Sequence, residues 1–289
     1  MKDEAQTRPT ITFIGAGALA AGMGRVLHAH GYTIDEIVVR KKSARKQQLA
    51  SELGASLVTE RQAKLISDVT WLAVPDDAIG SCASSLVTAR EWRGKVVLHS
   101  SGALSSDVLA PLRHSGAAVA SVHPMMTFVN AAAEPALAVP DALRSVCFAV
   151  EGDARGARVA TAIAHELGGE VLKLDPARKA VYHAFGAFLS PLLVAELTAA
   201  EEVARAAGIS KAHAERIMRP IVHKTVNNYL ANGAQKAFSG PLVRGDVETI
   251  KRHLASLHGP ALEVYVALAR LAIRKLKVKN AQKMKQLLG

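Results

Sequence analysis

Short apolar runs rich in β-branched residues alternate with stretches of helical period through the first 150 positions. Strands are expected at 10–14, 36–39, 69–74, 95–99, 118–122 and 145–150, with helices at 18–30 and 43–53 between them. Strand and helix in alternation imply a parallel sheet wrapped by helices, an α/β doubly wound architecture of the Rossmann type. From about Pro176 the strand signals stop. Long Ala- and Leu-rich segments follow, broken at Gly208, Asn232-Gly233 and Ser239-Gly240-Pro241, which are stop or turn signals. A boundary near Leu174-Asp175-Pro176 therefore divides the chain into an α/β domain, 1–175, and an all-α domain, 176–289.

A length of 289 residues, 49% of them hydrophobic, suits two globular cores. Aromatic residues make up only 4%, which argues against a base-stacking platform for single strands. Cys82 and Cys147 cannot build a disulfide framework, and neither has a second Cys or His at zinc-ligand spacing, so no metal site is expected and a reducing cytoplasm fits. The first ten residues contain Asp3 and Glu4 and lead into no apolar segment, so no signal peptide is expected. The most membrane-like stretch, 180–200, includes His183, Ser190, Pro191 and Glu196 and reads as a buried helix rather than a span. Net charge is +11, and no acid follows Glu263. The tail carries Arg270, Arg274, Lys275, Lys277, Lys279, Lys283 and Lys285, read as the solvated face and frayed end of a terminal helix; anionic-polymer binding is the lesser alternative.

Ile11-Thr-Phe-Ile14 runs into Gly15-Ala16-Gly17-Ala18-Leu19-Ala20 and then a helix, the strand-turn-helix context of a dinucleotide fingerprint. Gly15 permits the tight turn, Gly17 lets backbone N–H groups approach a pyrophosphate, and small Ala20 allows helix and strand to pack closely. Gly22 and Gly24 read as close-packing positions. The second strand ends in Arg40-Lys41-Lys42-Ser43, with Arg45 beyond, a set that accommodates a 2′-phosphate and selects NADP. Asp35 and Glu36 precede the Ile37-Val-Val39 core of that strand, at the end away from the cofactor.

Other strand ends face the same crevice. Val74-Pro75 borders the cofactor, and Asp76-Asp77 reads as a helix N-cap pair. Ser100 and Ser101 would face the crevice from His99-Ser-Ser-Gly102, and His123-Pro124 closes the next strand.

The combination of Gly15-Ala-Gly-Ala-Leu-Ala20, Val74-Pro-Asp-Asp77, His99-Ser-Ser-Gly-Ala-Leu104, His123-Pro124 with Phe128, and Ser239-Gly-Pro-Leu-Val-Arg-Gly-Asp246 with His253-Leu254 resembles a two-domain group. Its members join a Rossmann-like domain to a helical domain of unknown function, the DUF2520 type. They are distantly related to ketopantoate reductase, pyrroline-5-carboxylate reductase and the coenzyme F420-dependent NADP oxidoreductases. The likeness spans roughly 10–270. It implies an NAD(P)-binding fold, a C-terminal domain similar to that of 6-phosphogluconate dehydrogenase, frequent homodimers, and reductase activity on CH–OH or CH–NH groups.

In some of these relatives the long first helix of the second domain presents a catalytic lysine. Here Lys179, His183 and Ser190 compete for that role, sharing nearly one helical face by spacing. The expected mechanism is hydride transfer from NADPH in the interdomain cleft to a small keto acid or cyclic imino acid. His183 would be the general acid, Ser101 and Ser190 would orient the substrate, and Arg244 would clamp a carboxylate. The competing readings are a core histidine for His183 and an ion pair or cap for Arg244 and Asp246. A non-catalytic NADP(H) redox sensor is the alternative function.

Overall fold

The computed structural model describes residues 8–128 and 140–289. Strands β1 (Ile11–Ile14), β2 (Ile34–Val39), β3 (Ser56–Thr59), β4 (Val69–Leu72), β5 (Val96–His99) and β6 (Ala118–Pro124) pair in parallel. β7 (Cys147–Gly152) adds antiparallel to β6, and β8 (Glu170–Lys173) pairs in parallel with β7. The order β3-β2-β1-β4-β5-β6-β7-β8 reverses direction between β1 and β4, the switch point where open α/β sheets bind ligands. Helices α1 (Ala18–Ala29), α2 (Ala44–Glu52), α3 (Asp76–Leu86), α4 (Ala110–His114) and α5 (Ala154–Glu166) flank the sheet.

Strand alternation builds a core on each face. Phe13, Trp71 and Leu98 pack with α1, α2 and α5, whereas Ile14, Leu72 and Val97 pack with α3 and α4. The doubly wound, parallel Rossmann-type sheet expected from sequence is present, with β6–β7 as its one antiparallel pairing among the described residues; a period-2 pattern carries no information about strand direction. β3 and β8 were not expected at all. They are four-residue strands at the two sheet margins and bury little, so their hydrophobic pattern is weak. β2 starts two residues earlier than expected, so Asp35 and Glu36 lie inside it, at its N-terminal end. There Ser67 donates to Asp35, and the Lys64 and Leu65 N–H groups donate to Glu36.

The chain packs as two compact units, one up to Ala187 and the other Phe188–Gly289. Strand structure ends, among the described residues, at Lys173, and a 3-10 turn at Pro176–Arg178 leads into α6 (Lys179–Leu189). The second unit contains α7 (Pro191–Ala206), α8 (Lys211–Asn232), α9 (Ala234–Ala237), α10 (Pro241–Arg244), α11 (Val247–Ser256), α12 (Gly259–Lys275) and α13 (Ala281–Leu288). Gly208 and Gly233 end α7 and α8 at positive φ, as the stop signals imply. Its core joins Ile250, Ala269, Ile273, Met284 and Leu288.

Two expectations fail here. The basic tail is not a frayed end: α13 docks through Met284 and Leu288, and the Arg270 guanidinium donates to the Leu288 carbonyl. The stretch 180–200 is not a buried helix either. Pro176–Ala206 is long and apolar enough to cross a membrane by length and composition, yet its most apolar window is wholly unburied. Ser190 breaks it into α6 and α7, and Val181, Phe185, Leu192 and Val194 stand exposed.

Candidate active site

β1 delivers the chain into a turn that only glycine can make at its first position. Gly15 sits at φ +105°, and a Cβ there would run into the Ala73 carbonyl oxygen of the neighbouring strand end. Gly17 is the N-cap of α1, carries no side-chain cap and has open space where a Cβ would stand. The N-terminal N–H groups of α1 are thus presented without a side chain in the way, the arrangement that receives phosphate. Ala20 is fully buried. Gly22 would strike Phe128 and Gly24 would strike Leu53 if either gained a Cβ, so both are close-packing positions as expected.

A cavity of about 300 Å³ opens beside this turn, lined by Ala16, Gly17 and Ala18 on one side and by Ser43, Arg45 and Lys46 on the other. Arg25, ion-paired with Glu52, completes its wall. The expected Arg40, Lys41 and Lys42 are exposed on the turn leading into α2 and do not line the cavity. Ser43 caps α2 by accepting from the Lys46 N–H, and Lys46 Nζ donates to the Lys41 carbonyl at 2.8 Å. Basic charge is therefore concentrated here, but the groups on the cavity wall lie one helical turn later than the strand end.

A second cavity, of about 180 Å³, lies at the C-terminal ends of β4, β5 and β6. Its apolar wall includes Leu19, Val74, Met126 and Phe128, and its polar groups are Asp76, Ser100, Ser101 and His123. Asp76 is not the helix cap expected from sequence. Pro75 occupies the N-cap position, and Asp76 Oδ2 instead accepts from Ser101 Oγ at 2.6 Å. The same Ser101 oxygen accepts the N–H groups of Ala103 and Leu104, which fixes its proton on Asp76. Ser100 Oγ accepts from the Trp71 indole.

Three histidines surround the turn after β5. His99 is fully buried; the Ser101 N–H donates to Nδ1 at 3.1 Å, so the proton sits on Nε2, which faces the Ser105 carbonyl. Burial, with Lys179 nearby, pushes its pKa down to about 4. His123 is likewise pushed down to about 4 by burial and then by Lys179, and its Nδ1 meets the Tyr182 hydroxyl at 3.0 Å. Burial raises the Tyr182 phenol above its usual value. His183 is exposed, which excludes the core-histidine reading, and its ring lies edge-on to His123 at 5.8 Å and against Gly102.

Lys179 is buried one turn before His183. Its ammonium donates to Ser121 Oγ at 2.6 Å and lies 3.8 Å from Glu151. Glu151 also accepts from the Ser106 N–H and hydroxyl. Burial lowers the Lys179 pKa, and Glu151, then Asp76, hold it up. Ser121 faces Glu151 across the antiparallel β6–β7 ladder, a pairing that sequence reading had no means to find. Tyr182 is missed by sequence reading, and His123 is placed there at a crevice-facing strand end without a role, although Ser121 and His123 alternate on one strand face and Tyr182 follows Lys179 by one helical turn.

Ser101, Lys179 and His183 are thus gathered within the first unit. Ser190 and Arg244 belong to the second. Ser190 does not continue the Lys179–His183 face, because α6 ends at Leu189 and Ser190 is the N-cap of α7. Arg244 is exposed and ion-paired with Asp246 through Nε at 2.9 Å and Nη2 at 2.7 Å; Asp246 makes no capping bond to α11.

The family model of a Rossmann-like domain matches residues 2–124, and that of the domain of unknown function DUF2520 matches 146–272. No curated protein matches the chain. Among solved structures, a protein described as an NADP oxidoreductase, BF3122 of Bacteroides fragilis, superposes with a TM-score of 0.74 at 21% identity, over 91% of this chain and 97% of that one. Protein TM1727 of Thermotoga maritima gives 0.66 at 24% identity, over 91% and 96%. A reductive aminase of Aspergillus terreus, in complex with NADPH and ethyl levulinate, gives 0.64 at 17% identity, over 97% and 99%. The chain thus resembles a Rossmann-like domain over 2–124 and a DUF2520 domain over 146–272.

Proposed function

We propose that the protein is an NADP(H)-dependent reductase acting on a C=O or C=N bond of a small molecule. The observation that carries this reading is the unencumbered α1 N-terminus at Gly17, which lines the basic cavity, with Leu19 of the same helix on the wall of the second cavity and its polar groups at the strand ends. The fold neighbours described as an NADP oxidoreductase and as a reductive aminase with NADPH bound support it.

NADPH, when bound, supplies hydride. The Gly15–Ala20 turn would hold its pyrophosphate, and Ser43, Arg45 and Lys46 would hold the 2′-phosphate, with Arg40, Lys41 and Lys42 adding positive charge nearby. Val74, Pro75 and Ser100 would border the reacting ring. Ser101, expected from sequence to orient the substrate, has its hydroxyl fully used by Asp76 and by the Ala103 and Leu104 N–H groups and acts by fixing Asp76. His183 provides the proton, and its exposure allows it to be recharged from solvent. Lys179, wholly engaged by Ser121 and Glu151, acts through the field it imposes on His99 and His123. Ser190 and Arg244 stay candidate substrate contacts on the family resemblance alone.

We place the protein in a reducing cytoplasm, as a homodimer; the exposed apolar faces of α6, α7 and α8 support the second copy.

Titration with NADPH and NADH, followed by nicotinamide fluorescence, tests the cofactor. NADPH is expected to bind at least tenfold more tightly than NADH. That preference should collapse in Arg45→Ala/Lys46→Ala and weaken less in Arg40→Ala/Lys41→Ala/Lys42→Ala. Absence of binding by either nucleotide would overturn the reading, and binding with no turnover of any carbonyl or imine would favour the sensor.

A further inference from the structure

The polar groups that meet in the 180 Å³ cavity have an uneven charge. Asp76 is the ionisable acid on its wall, and among the described residues no lysine or arginine lines it. Only one Asp76 oxygen is used: Oδ2 accepts from Ser101, and no hydrogen bond reaches Oδ1 among the described residues. Behind the wall, the positive charge of Lys179 is answered by Glu151, both buried. His99 and His123 are neutral at pH 7, since burial holds both near 4. Asp76, exposed at the start of α3, is thus the carboxylate that faces the open space, while Glu151 answers Lys179 behind it. Arg244, the one cation proposed to receive a substrate carboxylate, is already held by two contacts to Asp246.

We propose that this cavity selects a cationic substrate, an iminium ion without an α-carboxylate, with Asp76 as its counter-ion. An anionic keto acid would bring like charge against Asp76 in a pocket whose described wall offers it no lysine or arginine, and like-charge juxtaposition is a strong means of rejection. An iminium ion gains attraction there. The inference rests on the NADP(H)-dependent reading of the same site.

The chemistry closes without a further reagent. A neutral imine first takes a proton on nitrogen from His183, giving the iminium ion. Hydride then adds with its electron pair to the iminium carbon, and the C=N π pair moves to nitrogen as the lone pair of a neutral amine. The hydride's departure leaves NADP+, so the positive charge passes from substrate to nucleotide. His183 recovers its proton from water. A permanently charged iminium ion needs no proton at all and should bypass His183.

The test uses binding as well as turnover. N-methylpyrrolidinium, cyclopentanol and 2-oxoisovalerate, a cation, a neutral molecule and an anion of similar size, are titrated calorimetrically into the full-length protein, with and without NADP+. The cation is expected to bind at least tenfold more tightly than the other two. Asp76→Asn should remove that preference and Asp76→Glu should restore part of it. In turnover, 1,2-dimethyl-1-pyrrolinium should oxidise NADPH faster than cyclopentanone, and His183→Ala should slow 2-methyl-1-pyrroline but not the dimethyl compound. Equal binding of cation and neutral molecule, preference for the anion, or a preference surviving in Asp76→Asn would each overturn the inference and leave the NADPH titration untouched. Cation binding without any nucleotide binding would instead sink the reductase reading and leave a cation site.

Discussion

Lys179 is the side chain whose environment most constrains it. An ammonium taken out of water costs several kcal/mol unless paired and hydrogen-bonded, and here the compensation comes from one hydroxyl and one carboxylate. Removing the carboxylate should therefore expose the cost. Glu151→Gln is expected to lose about 3 kcal/mol of stability at pH 7, within the range seen when one partner of a buried pair is deleted. The direction with pH follows from the sign of the Lys179 shift. Its folded pKa lies below the usual lysine value, and losing Glu151 lowers it further. Between that lowered pKa and the unfolded value the unfolded chain binds more protons, so stability rises with pH. Urea melts of Glu151→Gln at pH 7 and pH 9.5 should show the deficit shrinking at the higher pH; a deficit unchanged with pH would mean that the charge on Lys179 is not its source.

The turn following β5 works as a unit, with His99, Ser101, Gly102 and Ser106 each tied to a different neighbour. His99 enters the fold neutral, bonded at both ring nitrogens. Both His99 and His123 fall to about 4 from an ordinary value near 6.5. Below pH 6.5 the unfolded chain takes up protons that the folded chain refuses until about pH 4, so the stability these imidazoles contribute is present above 6.5 and is lost as pH falls through that window. For fully buried His99 the loss approaches about 3 kcal/mol. Thermal melts between pH 7 and pH 4 should drop steeply, and His99→Gln should flatten the slope even if it lowers the pH 7 value. The same element shows why Asp76 escaped sequence reading. An acid after proline at a helix start fits a capping rule, and only the return of Ser101 to meet it reveals another use.

Across the whole molecule, apolar surface is distributed unevenly. Val181 is 76% exposed and Leu230 75%, with Phe185, Ile217 and Ile221 also open to solvent, whereas the two faces of the sheet are closely covered. Exposed apolar area of this kind marks an interaction site more often than a bare surface. A second copy of the chain is the proposed cover. Light scattering at micromolar concentration should give twice the 30.5 kDa of one chain, and Ile221→Glu with Leu230→Glu should yield a monomer. A wild-type monomer would remove the homodimer from the proposed function without touching the cofactor site.

The sequence alone determined what local chemistry controls. The Gly15–Ala20 turn, the helix stops at Gly208 and Gly233 and the change from alternating elements to helices all depend on a few adjacent residues. Their φ, cap and period preferences act within one turn of chain. Tertiary structure decided the rest. The direction of β7, the marginal strands β3 and β8, the meeting of Ser121 with Glu151 and the burial of Lys179 beside an exposed His183 depend on segments tens of residues apart. Pairing and burial are set by which surfaces meet in three dimensions, and spacing along one segment does not record the partner it will find.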